Sequence, residues 1–414
     1  MSAVAEGPMR TVVVVGASLA GLYAARDLRA QGFDGRLVVV GAEPHQPYDR
    51  PPLSKEFLAK DDADGGGQGE RQLALCDPEE ITELAAEWIL GTRACALDAR
   101  GRGVVLDDGR TLAADGVVIA TGASARRLPG PSYAGVHVLR TLDDARALRA
   151  DLTRGPRRVV VIGGGFIGAE TASSCAALGH DVTVVEAAPL PLAAQLGAEL
   201  ASVCARLHAR GGARLLTGVG VAALRGAPGG PEAAVTGVEL ADGRLLPADV
   251  VVVGIGAIPN TGWLVGSPLA VADGVLCDDG CVTALPQVVA VGDVARVGGV
   301  RAEHWTSATE QPRVAVRNLL AGRTVEAARP LPYFWSDQYG SRVQFAGRRG
   351  EGDTVRVIEG SPDVLDEGGL LAVYERAGRT TAALSIDRAR PFMKVRRALA
   401  AAWAADATGG GFAA

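Results

Sequence analysis

Val159-Val160-Val161-Ile162-Gly163-Gly164-Gly165-Phe166-Ile167-Gly168 is the stretch on which the fold turns. An apolar β-branched run without polar alternation reads as a strand buried on both faces, and the glycines that stop it read as a turn into a helix. The helical pattern continues to about Leu178, and Val182 to Val185 reads as a second strand ending at Glu186. The same order occurs earlier. Thr11 to Val15 runs into Gly16-Ala17-Ser18-Leu19-Ala20-Gly21, a helical stretch reaches about Ala30, and Leu37 to Val40 leads to Glu43. Strand, glycine turn, helix, strand and acid is the nucleotide-binding βαβ unit. A lone glycine pattern is weak evidence. Two complete units, each with an acid about 20 residues downstream, are strong evidence.

The chemistry behind the pattern is phosphate binding. The first glycine allows a tight turn, a small second residue lets backbone N–H groups approach a pyrophosphate, and the last packs helix against strand. The acid accepts hydrogen bonds from a ribose. In the first copy Ser18 replaces the usual second glycine and is small enough to keep the turn.

Around these units the chain has ordinary globular composition: 414 residues, 48% apolar and 21% charged, room for two or three domains. A net charge of −5 gives no global attraction to nucleic acid or anionic lipid. No run approaches the roughly 18 apolar residues of a membrane helix, and Met1 to Arg10 has no basic lead into a long apolar core. Cys76, Cys95, Cys175, Cys204, Cys277 and Cys281 show no zinc spacing and no C-x-x-C, as expected of reduced thiols in a cytoplasm. Cys277 and Cys281 fit a redox pair or a polar turn with two incidental thiols.

Three more strand-and-turn signals follow the units: Val117 to Ile119 before Ala120-Thr121-Gly122, Asp249 to Val253 before a glycine-rich turn, and Val288 to Val291 before Gly292-Asp293. Each alone reads as an ordinary buried strand; their order around the βαβ units makes them informative. Asp61 to Glu70, Arg225 to Glu232 and Gly322 to Pro332 read as linkers. After Pro332, short antiparallel strands (Arg342 to Gly347, Leu370 to Tyr374, Leu384 to Ile386) and a basic helix from about Pro391 read as a separate α+β module.

Pro47-Tyr48-Asp49-Arg50-Pro51-Pro52-Leu53-Ser54-Lys55, together with Gly163 to Glu170, Val291-Gly292-Asp293 and Tyr333 to Gln338, resembles the FAD-dependent ferredoxin reductases that serve Rieske dioxygenases and haem-thiolate monooxygenases, and their apoptosis-inducing-factor relatives. The resemblance implies an α/β fold with two Rossmann-like nucleotide-binding domains of glutathione-reductase type plus a C-terminal α+β domain. Residues 9–122 and 250–328 would bind FAD, 123–249 would bind NAD, 329–404 would form an interface domain, and 405–414 would be a disordered tail. It further implies FAD on Gly16, Ser18, Leu19, Ala20, Gly21 and Glu43, completed by Arg50, Lys55, Ala94, Arg126, Asp293, Trp305 and Trp335. NADH would sit on Gly165, Phe166, Ile167, Gly168, Glu186 and Gly256.

By the same resemblance Lys55, paired with Glu170, stabilises reduced flavin, and Trp335 covers the isoalloxazine. Each residue also has a plainer reading: a surface lysine in a turn stiffened by Pro51 and Pro52, a carboxylate in the first helical turn, an interface anchor. The implied activity is NADH-dependent reduction of FAD, then single-electron transfer to a small iron-sulfur ferredoxin feeding a monooxygenase or Rieske oxygenase. No nucleic acid or membrane partner is expected, and the chain is expected to be a monomer or weak dimer. One rival is an NADH-dependent disulfide or peroxide reductase, which needs a thiol beside the flavin, and Gly41 to Glu56 contains none. The other is a redox-sensing FAD/NAD-binding interaction protein. Arg388, Arg390, Lys394, Arg396 and Arg397, with no acid between Asp387 and Asp406, suit either a solvated face or steering of an acidic ferredoxin.

Overall fold

The structure is a computed structural model that describes residues 9–59, 68–98, 100–229, 233–363 and 368–408. Asp61 to Gly67 and Gly230 to Glu232 of the expected linkers, and 409–414 of the expected tail, lie outside the described residues, whereas 405–408 continue the last helix rather than forming a disordered tail. The chain divides into two compact units. The first comprises Met1–Asp49, Leu73–Ser124 and Ile258–Pro332; the second comprises Arg50–Gln72, Ala125–Ala257 and Tyr333–Ala414.

Each unit is built on one of the two βαβ motifs, and the motifs match element for element. Thr11–Val15 and Arg158–Ile162 are five-residue strands, Leu19–Ala30 and Phe166–Ala177 are twelve-residue helices, and Arg36–Gly41 and Asp181–Glu186 are six-residue strands. In the first unit the parallel order is Val288–Ala290, Gly116–Ile119, Thr11–Val15, Arg36–Gly41, Ala86–Leu90. In the second it is Arg214–Thr217, Asp181–Glu186, Arg158–Ile162, Val250–Val253, Val136–Val138. Parallel sheets of this kind are covered on both faces, which is why the central strands are unbroken valine runs rather than alternating ones. Val12, Val13 and Val14 are fully buried. Leu22 and Leu28 bring the apolar side of the first helix onto Val12 and Val14, while Val13 faces the core on the other side of the sheet. Burying each such side chain contributes about 1.5–3 kcal/mol.

The second unit also holds an antiparallel sheet in the order Tyr333–Gln338, Ser341–Gly347, Arg379–Ile386, Leu370–Arg376, Thr354–Gly360, followed by the helix Ala389–Thr408. Its core is shared with the helix Ala193–Arg210: Leu196, Leu200 and Leu207 pack with Phe345, Tyr374 and Leu384. So the C-terminal module expected from the change of pattern after Pro332 shares one core with part of the nucleotide-binding region. Among the described residues no helix is long and apolar enough to cross a membrane.

Candidate active site

Both glycine turns are built as the phosphate argument requires. Gly16 and Gly163 have φ of +123° and +103°, and a Cβ there would lie 2.1 Å from the Ala120 carbonyl oxygen and 2.3 Å from that of Gly254. Gly21 and Gly168 meet the turn itself, with a Cβ 1.7 Å and 2.0 Å from the oxygens of Gly16 and Gly163. The second motif position differs: a Cβ on Gly165 would meet nothing within 4 Å. That explains Ser18. Both residues are extended N-caps at ordinary negative φ, so a small side chain costs nothing sterically. The helices begin at Leu19 and Phe166, and the first-turn N–H groups of a helix are donors of the kind a pyrophosphate accepts from.

The first unit also holds Glu43, Ala94, Asp293 and Trp305. Glu43 accepts a 2.5 Å hydrogen bond from the Tyr48 hydroxyl, and the Gly91 N–H bonds back to the Glu43 carbonyl, which sets the approach to Ala94 on the strand Ala94–Leu97. Gly292 lies against the same helix, where a Cβ would come 3.0 Å from that of Ala20, and its N–H donates to Gln311 Oε1 at 2.8 Å. Asp293 follows in that turn. Trp305 opens the helix Trp305–Ala321 and meets Tyr23 edge to face at 6.5 Å.

The second unit holds the other candidates. Glu186 accepts the Gly164 N–H on Oε2 and the Ala188 N–H on Oε1, both at 2.8 Å, so its carboxylate is fixed at the end of the strand. Each oxygen retains a lone pair for a ribose hydroxyl. The Arg126 N–H donates to the Gly256 carbonyl at 2.9 Å, and Arg50 Nη1 donates to the Arg140 carbonyl at 2.5 Å. Pro51–Ser54 form a single 3-10 turn that points Lys55 at the helix Phe166–Ala177. Lys55 Nζ lies 2.8 Å from Glu170 Oε2 and 2.9 Å from the Pro51 carbonyl, with the lysine side chain 13% and the glutamate 2% exposed. The pairing of Lys55 with Glu170, implied by the resemblance, is thus a geometric feature of the fold. One detail is corrected: the helix starts at Phe166, so Glu170 sits in its second turn rather than its first, beyond the strongest influence of the helix terminus.

Trp335 lies on the strand Tyr333–Gln338, stacked on Tyr333 at 5.8 Å with the Arg342 guanidinium over its ring. Side chains alternate along a strand, so Phe334, Ser336 and Gln338 share the opposite face. That face is fastened to the nucleotide-binding helix at three points: Phe334 packs on Phe166 at 4.5 Å, Ser336 Oγ donates to Glu170 at 2.7 Å, and the Tyr339 N–H donates to Ser173 Oγ at 2.7 Å. Phe166, Glu170 and Ser173, spaced four and three residues apart, form one helix face. Sequence reading passed over Ser54, Ser336, Gln338 and Tyr339. They stand inside or beside the motifs quoted above, and no local pattern marks two distant serines as partners of one carboxylate.

All six cysteines are free thiols. Burial pushes Cys175, Cys204 and Cys277 up to about 12 and holds Cys281 well above the ordinary thiol value, which disfavours the thiolate at Cys277 and Cys281.

Residues 10–312 match the family model described as pyridine nucleotide-disulphide oxidoreductase, and 333–409 match the one described as reductase C-terminal. The chain is 39% identical, over 94% of both chains, to the ferredoxin–NAD(+) reductase component of the anthranilate 1,2-dioxygenase system of Burkholderia cepacia. Among solved structures it is similar to the ferredoxin reductase for the CYP199A2 system from Rhodopseudomonas palustris (34% identity, 92% of each chain, TM-score 0.84). It is also similar to the reductase in the covalent putidaredoxin reductase–putidaredoxin complex (32% identity, 94% and 93% coverage, TM-score 0.85). The chain therefore belongs to the pyridine nucleotide-disulphide oxidoreductase family, in the branch that carries a reductase C-terminal domain.

Proposed function

We propose that the chain is an NADH-dependent ferredoxin reductase that delivers electrons singly to a small iron-sulfur ferredoxin feeding an oxygenase, and that it works in the cytoplasm. The observation that carries this reading is the match over 94% of both chains to a ferredoxin–NAD(+) reductase component, with the reductase C-terminal module included. Bound FAD supplies the redox chemistry, accepting a hydride and giving up electrons one at a time. The chain's residues bind and orient.

In this reading the turn Gly16–Gly21 with Glu43 holds the FAD pyrophosphate and ribose, and Gly163–Gly168 with Glu186 holds those of NADH. Residues 9–122 and 250–328 serve FAD, 123–249 serve NADH, and 329–404 meet the ferredoxin. Lys55 gives two of its three ammonium N–H donors to the Pro51 carbonyl and Glu170, and its third donor and its charge would serve to stabilise the reduced form of the flavin. Glu170 limits the cost of burying that charge. Arg50, Ala94, Arg126, Asp293, Trp305 and Trp335 complete the flavin site, and Gly256 that of the nicotinamide nucleotide. A disulfide or peroxide reductase is disfavoured, because the 41–56 segment offers no thiol and burial raises the pKa of five of the six cysteines, favouring the protonated thiol.

The test is to purify the protein, record its flavin spectrum, and follow NADH-driven reduction of a panel of ferredoxins, with ferricyanide as control. Ferredoxin reduction at rates that support an oxygenase is expected. Ferricyanide turnover with every ferredoxin left oxidised, and a long-lived reduced complex with redox-dependent dimerisation, would replace the reading with that of a redox-sensing interaction protein.

A further inference from the structure

Glu170 is enclosed by donors from two segments far from it in sequence. Its Oε2 accepts Ser54 Oγ at 2.5 Å and Lys55 Nζ at 2.8 Å, while Oε1 accepts Ser336 Oγ at 2.7 Å. Ser54 is held in turn by Ser174 Oγ, which donates to its carbonyl at 2.7 Å. Ser336 is fully buried, and Gln338 Nε2, itself 1% exposed, donates to its oxygen at 2.9 Å. With the amide donor on its oxygen, the Ser336 hydroxyl has its proton left for Glu170. The chain of donors thus has a direction: Gln338 to Ser336 to Glu170.

We propose that Ser336, oriented by Gln338, is a positioning residue that fixes the plane of the Glu170 carboxylate and through it the place of Lys55; this rests on the reading of Lys55 given above. A carboxylate held at one oxygen only is free to turn about its last torsion, which is broad and nearly two-fold. Ser54 and Lys55 both sit on Oε2. Without Ser336, a buried Oε1 without a donor draws one of them across, and Lys55 is the longer and more mobile. Trp335 lies on the other face of its strand, so a change at Ser336 leaves the Trp335–Tyr333 stack in place.

The test uses the holoenzyme and three readouts: the flavin midpoint potential, the rate of flavin reduction by NADH in single turnover, and acetylation of Lys55. The chain has only three lysines, Lys55, Lys60 and Lys394, so peptide mass spectrometry assigns the label directly. Ser336→Ala is expected to raise labelling of Lys55 relative to Lys394, to lower the potential, and to slow hydride transfer roughly tenfold, with the Kd for NADH little changed. Ser336→Thr restores all three. In a Lys55→Met background, Ser336→Ala adds nothing further to potential or rate. Wild-type labelling and rate in Ser336→Ala, or an undiminished effect in the Lys55→Met background, overturns the proposal. If Ser336→Ala does not fold, Gln338→Met, close in shape, removes the donor behind Ser336 and is judged by the same outcomes. Failure of the underlying reading looks different: Lys55→Met would itself leave both potential and rate unchanged.

Discussion

At the scale of single residues, the two acids that end the second strands have been given different company. Glu43 takes a phenol, while Glu186 is clamped by two backbone N–H groups. In the NADH site proposed above, its charge would repel a 2′-phosphate. Ala187 and Ala188 follow, with no arginine to receive such a phosphate. NADH is expected to exceed NADPH in kcat/KM, and Glu186→Ala to narrow the gap; comparable values for the two cofactors in the wild type would refute this. Lys55→Met is expected to lower the flavin potential or slow reduction by NADH while FAD content stays stoichiometric, which absorbance and redox titration measure. His208 gives a pH prediction. It is buried, shares a 2.8 Å hydrogen bond with the Tyr339 hydroxyl, and burial lowers its pKa to about 4. The unfolded chain takes this proton near 6.5, so the stability contributed by neutral His208 is complete above that pH and is lost as pH falls towards 4. The loss is about 3 kcal/mol for a depression from 6.5 to about 4. Thermal melts of His208→Gln between pH 7 and 4 should fall less steeply than those of the wild type.

At the scale of elements, the helix Ala193–Arg210 shows how one break is absorbed. Gly197 leaves helical geometry, with φ 73° and ψ 159°, and interrupts the hydrogen-bond ladder. The antiparallel sheet of the same unit answers the break: the Tyr374 hydroxyl donates to the Leu196 carbonyl at 2.6 Å and Arg349 Nη2 to that of Ala194 at 3.2 Å. Tyr374→Phe keeps the packing and removes a buried donor. It should destabilise the protein by about 1–3 kcal/mol in denaturant titration, with FAD and NADH affinity unchanged. A loss below about 0.5 kcal/mol would mean that the carbonyl finds another partner.

At the scale of the whole molecule, a net charge of −5 sets off the basic run at the start of the last helix. The structure sorts its members. The Arg396 guanidinium lies over the Tyr333 ring at 3.8 Å and Arg388 reaches Glu359 at 4.0 Å, whereas Arg390, Lys394 and Arg397 are exposed. The exposed three are the ones suited to steering an acidic carrier, and reversing Arg396 would also disturb the Tyr333–Trp335 stack. Lys394→Glu with Arg397→Glu should raise the KM for ferredoxin and flatten its salt dependence, leaving NADH-to-ferricyanide turnover as it was, because steering acts on encounter and is screened over about 8–10 Å. An unaltered KM at low salt would make the helix face an ordinary solvated one.

The sequence by itself determined the two βαβ units to within a residue or two, because valine runs, positive-φ glycines and helix periodicity are local constraints that a linear reading can see. It also marked Lys55 and Glu170, though their pairing came from family resemblance and not from spacing. What only the tertiary structure decided was which groups share a carboxylate, a carbonyl or a ring. Ser54 and Ser336 reach Glu170 from 116 and 166 residues away, and Tyr374 reaches Leu196 across 178. Such partnerships leave no periodic trace, because hydrogen-bond satisfaction in a buried space depends on where the chain returns.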